Sequence, residues 1–373
     1  FSGSSATISN SIFRLNHSDL NGGAIATAGP LASSNNEFDS NDADNGGAIG
    51  IAGNGQFVVN SIDDLFINNT GSHDGGAIYE SNSNLNVVRG SFQSNRAGDS
   101  NGGFAGDGGA IFSNLNTSIS GSVFAGNSAV EGDGVPGQGG AVFNDGVLSL
   151  INSTIADSSA GAGGGLYNNA NGSVSISGTT FRNNNADGSG TAGGAIGGGG
   201  TIAILNSTLS GNTSIGGGGN GGGIGLLAGT ARLNNVTLAF NAASGLGGPF
   251  YAETGALISL SNSLLSDNTG GATNCASLQS RGYNRFQKAP CQTAASDINA
   301  EPMIDILASN GGPTQTHALQ DLSPAINAGH PVSAFPQFDA ANFGLLQSQG
   351  TTTLDSGALF LAGGSQTAGS AFV

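Results

Sequence analysis

Residues 41–60 read NDADNGGAIGIAGNGQFVVN, and the paired glycines ahead of Ile49 fit a phosphate loop, a hinge or a turn equally well. Recurrence decides between them. GGAI also starts at Gly22, Gly75, Gly108 and Gly193, with GGAV at Gly139, GGGL at Gly163, GGGI at Gly221 and GGPF at Gly247. Successive starts lie 24, 29, 33, 31, 24, 30, 28 and 26 residues apart. A second signature alternates with the first, an apolar residue followed three positions later by Asn. Its members are Phe13/Asn16, Phe38/Asn41, Phe66/Asn69, Phe92/Asn95, Phe124/Asn127, Phe181/Asn184, Leu209/Asn212, Leu238/Asn241 and Leu265/Asn268, and in Ile155/Ser158 a serine replaces the Asn. The apolar positions run from 13 to 265 with a mean period of 28. Self-similarity on that scale marks a repeat architecture, whatever domain count the length suggests. A phosphate loop has no reason to recur nine times, so the glycines are structural.

The residues between the signatures say which repeat. GVLSLINSTI (146–155), GSVSISGTTF (172–181), GTIAILNSTL (200–209) and GALISLSNSLL (255–265) alternate apolar with small polar residues, the period of a strand with one buried face. Residues 1–270 carry no 3.6-residue period. A unit of about 28 residues with short strands and glycine corners fits one coil of a right-handed parallel β-helix. About ten such coils, stacked at ~4.8 Å, would make a rod of roughly 50 Å. Corners need positive φ and close stacking, which favour Gly. Asn at one corner of nearly every coil predicts a buried amide ladder of Asn16, Asn41, Asn69, Asn95, Asn127, Asn184, Asn212, Asn241 and Asn268, with the preceding Phe filling the interior.

GGA plus a branched apolar residue, paired with FxxN, resembles the repeat of the chlamydial polymorphic outer membrane proteins and of many bacterial surface β-helix proteins. The likeness covers residues 1–270 and implies an exported protein. Beyond it, NGGPTQTHAL (310–319) and SPAINAG (323–329) resemble the choice-of-anchor Q module that follows β-helix repeats in secreted bacterial proteins. Where that module has a charged Asp-Gln-Arg-Gly segment, this chain has FDAANFG (338–344) and LDSGALFLAGG (354–364). The expected organisation is a β-helix domain over 1–273 and a less regular capping, anchoring or assembly module over 274–373.

Charged residues make up only 9% of the chain and glycine accounts for 67 of 373 residues, with a net charge of −16. Eight scattered basic residues argue against nucleic-acid binding, which needs clustered Lys and Arg. No apolar run approaches the ~18 residues of a membrane span. The chain starts at Phe1 without a signal-peptide pattern, as a processed secreted product would. In an exported protein Cys275 and Cys291 are expected to pair as a disulfide, worth about 3 kcal/mol in loop entropy, with a pair of free thiols as the alternative.

Enzymes on this scaffold need convergent carboxylates, or a basic residue beside acidic calcium ligands. Asp39, Asp42, Asp44, Asp63, Asp64, Asp74, Asp99, Asp107, Glu131 and Asp133 fall in corners with no common register. The acidic loops 97–111 and 130–142 raise calcium as a weaker alternative to plain solvation, since the strict calcium-roll nonapeptide is absent. His17, His73, His317 and His330 are too dispersed for a ligand set or a triad. The chain therefore reads as a non-enzymatic, cofactor-free, extracellular structural solenoid, of surface-layer, adhesive or fibre-forming type. The runner-up is a glycan-binding or glycan-cleaving β-helix with a polysaccharide or cell-surface partner. A coil strand from residue 5 onward and an apolar tail at 351–373 suggest head-to-tail contact between copies, giving a homo-oligomer or filament.

Overall fold

The computed structural model describes residues 5–53, 55, 57–99, 103–190, 192–272, 275–288 and 294–329. Apart from a 3₁₀ turn at Cys275–Ser277, every element among them is a strand. The chain winds as a parallel β-helix. Each turn feeds a first sheet of 21 strands, mostly twice, then a second sheet of ten strands and a third of nine. That is about nine turns among the described residues, where the spacing predicts about ten.

Neighbouring coils stack residue on residue without slippage in the first sheet. Val59 pairs with Leu85, Leu85 with Thr117, Thr117 with Leu148 and Leu148 with Val174. Their side chains point inward, and Asn60, Asn86, Ser118, Ser149 and Ser175 stack in register between them. A one-residue slip would turn every apolar side chain outward, so this alternation fixes the register. Inside, Phe13, Phe38, Phe66, Phe92 and Phe124 stack in one column, with centroids 5.0, 4.8, 4.6 and 4.6 Å apart. Ile155, Phe181, Leu209, Leu238 and Leu265 continue it.

The corners are made by left-handed backbone. Each ladder position is preceded by a residue with positive φ, among them Ser40 (57°), Asn68 (53°), Ser94 (54°), Asp157 (54°) and Phe240 (56°). This bend aims the next side chain at the axis. In the paired glycines the two residues have different reasons to be small. Gly108 sits at φ +67°, whereas a Cβ on Gly109 would lie 2.0 Å from the Gly140 carbonyl oxygen of the next coil. The first glycine turns the chain; the second lets the coils approach.

Coil stacking does not end at the 273/274 boundary. Leu278–Ser280 and Arg285–Phe286 pair onto Leu257–Ser261 and Leu264–Ser266, and Ile298–Asn299 pairs onto Arg285–Phe286. An antiparallel hairpin, Ile304–Ala308 with Thr316–Leu319, then lies along the flank of earlier coils. Thr314 Oγ1 donates to the Gly178 carbonyl at 3.0 Å, and Thr180 Oγ1 to the Gln315 carbonyl at 2.6 Å. Leu264 packs with Ile304, Leu319, Ala325 and Ala328 in a small second core. The expected Cys275–Cys291 disulfide and the tail 351–373 lie outside the described residues, as does the side chain of Cys275.

Candidate functional site

Three columns of polar side chains run along the axis, one at each of three corners. The first is the amide ladder. The Asn41 N–H and Nδ2 both donate to Asn69 Oδ1, at 3.0 and 2.9 Å, and Asn69 does the same to Asn95. Asn95 repeats this onto Asn127 at 3.0 and 3.0 Å. The second Nδ2 hydrogen reaches back to a carbonyl beside the aromatic column: Asn69 to Phe38, Asn95 to Phe66, Asn127 to Phe92. Asn184, Asn212, Asn241 and Asn268 form a second run with the same bonds. Asn16 joins the first run from below. Asn16 and Asn268, at the ends, are half-buried, while Asn41 through Asn241 are fully buried. Inside each run a buried amide thus accepts twice and donates twice, which meets the requirement for polar groups away from water; at the break, Asn127 Nδ2 donates only to the Phe92 carbonyl and Asn184 Oδ1 accepts only the Ser158 N–H.

Ser158 stands between the two runs. Its N–H donates to Asn184 Oδ1 at 3.1 Å, but its hydroxyl turns back to the Ala156 carbonyl at 3.0 Å. It offers nothing to Asn127 below.

The second column follows the turn between the two strands of the first sheet, and the sequence reading missed it. Ser11 N–H donates to Asn36 Oδ1, and Asn36 N–H to Asp64 Oδ1. Higher up, Ser122, Ser153, Thr179 and Ser207 link backbone N–H to hydroxyl oxygen in succession. Ser263, Asn284 and Asp297 close the column at 2.9 Å per step. Varied residue types hid it. Its signal was a positive-φ residue before the rung, usually Asn or Asp (Asn35, Asp63, Asn152, Asn206, Asn235 and Asn262), with Gly121 and Gly178 before Ser122 and Thr179.

The third column precedes the paired glycines and contains the molecule's acidic corner. Asn45 Nδ2 donates to Asn21 Oδ1 at 3.0 Å, Asp74 N–H to Asn45 Oδ1 at 3.2 Å, Asp107 N–H to Asp74 Oδ1 at 3.0 Å, and Gln138 N–H to Asp107 Oδ1 at 2.9 Å. Asp74 and Asp107 therefore occupy one register in adjacent coils, which corrects the expectation that the corner acids share none. The match stands in the sequence, since each acid immediately precedes a GGAI, Asp74 before Gly75 and Asp107 before Gly108, as Asn21 and Asn45 precede theirs.

Burial raises the Asp74 carboxyl above its usual range, opposed by the Asp107 N–H and His73. Burial and then the neighbouring Asp74 push Asp107 up to about 7. The Tyr167 phenol is also raised, first by burial and then by Asp107. The His73 ring lies 4.2 Å from the Phe104 ring, and its buried Nδ1 has no hydrogen-bond partner among the described residues. Two like carboxylates on adjacent rungs resist simultaneous ionisation, so the pair holds a proton near neutral pH.

Beside this corner, Tyr79, Phe112, Phe143 and Tyr167 stack outward on the third sheet, with centroids 5.1, 5.0 and 5.7 Å apart. Their faces cover one another within the row, and at its ends Tyr79 and Tyr167 are stacked next to Gly50 and Gly197, which carry no side chain. At the far end, a cavity of about 590 Å³ is lined by Pro249, Leu265, Asn268, Gln287 and Lys288 beneath the edge strand Thr269–Gly271. Among the described residues, no group of three or more His, Cys, Asp or Glu is placed to hold a metal ion, and no helix is long and apolar enough to cross a membrane. His317 anchors the flank hairpin, with Nε2 2.9 Å from Ser210 Oγ and Nδ1 2.7 Å from the Asp305 carbonyl oxygen. Comparison with family models, curated proteins and solved structures finds no match to this chain.

Proposed function

We propose that this protein is an extracellular structural solenoid of the surface-layer, adhesive or fibre-forming kind, without catalytic activity. One observation carries the reading: the residues that recur in every coil are engaged by the scaffold itself. The Phe rings stack on one another, the Asn amides bond one another, and the paired glycines make corners. What repeats is architecture, not chemistry. The outward columns, such as Asn60, Asn86, Ser118, Ser149 and Ser175, are neutral and hydrogen-bonding, suited to packing against another rod or a polysaccharide. The resemblance to surface β-helix repeats and to an anchor module supports placement outside the cell. Assembly through the ends belongs to this reading, since a non-closing contact between copies generates filaments. Sedimentation across a broad salt range, with electron microscopy of the same samples, tests it. Rods that associate or bind insoluble polysaccharide are expected; strictly monomeric rods with no surface affinity would refute it.

The second reading, a glycan-active β-helix, is favoured by Asp74 and Asp107, two paired carboxylates of which one titrates near neutrality. Release of reducing ends from a polysaccharide panel, abolished by Asp107→Asn, would establish it in place of the first.

A further inference from the structure

Five Asn-Gly pairs fall among the described residues, at Asn21, Asn45, Asn171, Asn220 and Asn310. Such a pair carries its own electrophile and nucleophile, since the glycine nitrogen can close on the Asn side-chain carbonyl carbon and glycine has no Cβ to hinder it. The fold treats the five differently. Asn21 and Asn45 are rungs of the third column, and Asn220 stands in the same place before its own glycine pair. Asn21 Oδ1 accepts Asn45 Nδ2 at 3.0 Å, Asn45 Oδ1 accepts the Asp74 N–H at 3.2 Å, and Asn220 Oδ1 accepts the Leu246 N–H at 2.6 Å. The glycine after each is committed to the next coil as well: Gly22 N–H donates to the Asn45 carbonyl, Gly46 N–H to that of Asp74 and Gly221 N–H to that of Leu246, each at 2.9 Å. Both reacting groups are held across a coil boundary, so ring closure there requires the stack to open. Asn310 is tied through its amide nitrogen only, which donates to the Thr316 carbonyl and hydroxyl at 2.9 and 3.0 Å.

Asn171 is the exception. It is exposed, in the turn between the strands Leu166–Asn168 and Ser173–Ser177, and its side chain has no hydrogen-bond partner among the described residues. Gly172 N–H donates to the Asn169 carbonyl at 2.9 Å, a bond inside the turn itself. A Cβ at position 172 would lie 2.3 Å from Asn168 Oδ1, so coil stacking keeps the unhindered glycine beside this Asn. We propose that Asn171 is a site of spontaneous modification, converted through a succinimide to aspartate and isoaspartate. The bond from the Gly172 nitrogen to Asn171 Cγ forms and the Cγ–Nδ2 bond breaks, with Nδ2 leaving as ammonia together with the Gly172 proton. Water then opens the ring at either carbonyl. Each event adds one negative charge on the corner that already carries Asp145, whose Oδ1 accepts Asn169 Nδ2 at 2.9 Å.

Incubation of the intact chain in mildly alkaline buffer, followed by peptide mass spectrometry that separates aspartate from isoaspartate, reads the five sites side by side. Asn171 should convert first and Asn310 next. Asn21, Asn45 and Asn220 should lag Asn171 by about tenfold or more, the factor for giving up even one rung bond before attack. In denaturant the five rates should converge. Asn171→Gln should remove the early product and leave the other four sites unchanged. A native chain in which Asn171 reacts no faster than Asn45, a ranking that persists in denaturant, or an early product that survives Asn171→Gln would overturn the assignment.

Discussion

The amide column and the acidic column use the same geometry for different ends. In both, a side-chain oxygen accepts the backbone N–H of the coil below or above, once per turn. Asn can also donate, so each rung of the first column passes a second bond along and returns a third to the Phe carbonyl. A carboxylate only accepts. At Asp74 and Asp107 the column keeps its backbone bonds but gains two charges that repel. The amide column is consequently indifferent to pH and intolerant of substitution; the acidic column responds to pH. The lesson is that exchanging one side-chain nitrogen for oxygen keeps the backbone bond of a rung and makes the rung titratable.

The largest expected effect tests the intolerance. Asn127→Leu leaves the Asn95 N–H and Nδ2 without their acceptor in a fully buried place. Each lost partner costs about 1–3 kcal/mol, so chemical denaturation should show a loss of roughly 2–6 kcal/mol. A variant as stable as the wild type would mean that the column contributes little to stability.

His317 sharpens the comparison from the opposite side. Burial holds its pKa below the ordinary imidazole value of 6.5. Here the folded state excludes a proton, where the acidic corner retains one. The hairpin's contribution is therefore present above the ordinary imidazole pKa and lost as pH falls toward the lowered value. Proteolysis between 304 and 319 should accelerate on acidification from pH 7 to pH 5, while the coils carrying Asn69 and Asn95 should stay equally protected. His317→Ala removes the Ser210 contact and should make hairpin cleavage fast at both pH values. Parallel changes in the two regions would remove the contrast.

The repeat text made most of the scaffold legible. Alternation marked the strands, paired glycines marked one corner, and FxxN marked the place where the Asn41 and Asn69 side chains are found. The second column escaped because Ser122, Ser153, Thr179 and Asp64 share a hydrogen-bonding role rather than an identity. The acidic pair was legible but overlooked: Asp74 and Asp107 each stand immediately before a GGAI, so counting from each glycine pair places them on one rung whatever the distance between the pairs. The flank hairpin escaped because its partners, Gly178 and Ser210, lie 136 and 107 residues earlier in the chain, far beyond any local pattern.

The smallest effect concerns the one place where the amide column fails. Ser158 divides the Asn ladder into two runs: its hydroxyl is committed to the Ala156 carbonyl, and it is too short to span to the Asn127 N–H. The position is buried and its backbone already follows the ladder, with Asp157 at φ 54° before it and its own N–H on Asn184 Oδ1. Ser158→Asn supplies an Oδ1 to Asn127 and an Nδ2 to Asn184, the acceptor that its own N–H already uses. Two new buried bonds at about 0.5–1.5 kcal/mol each, less the lost Ser158 hydroxyl bond to the Ala156 carbonyl and the cost of fitting a larger side chain beside Ile155, predict a small net gain, under about 1 kcal/mol. Thermal unfolding should show a small rise in Tm with no change in pH dependence. A loss would show that the break is held open by packing against Ile155, where the aromatic column also changes residue, and that the ladder is two independent runs rather than one interrupted run.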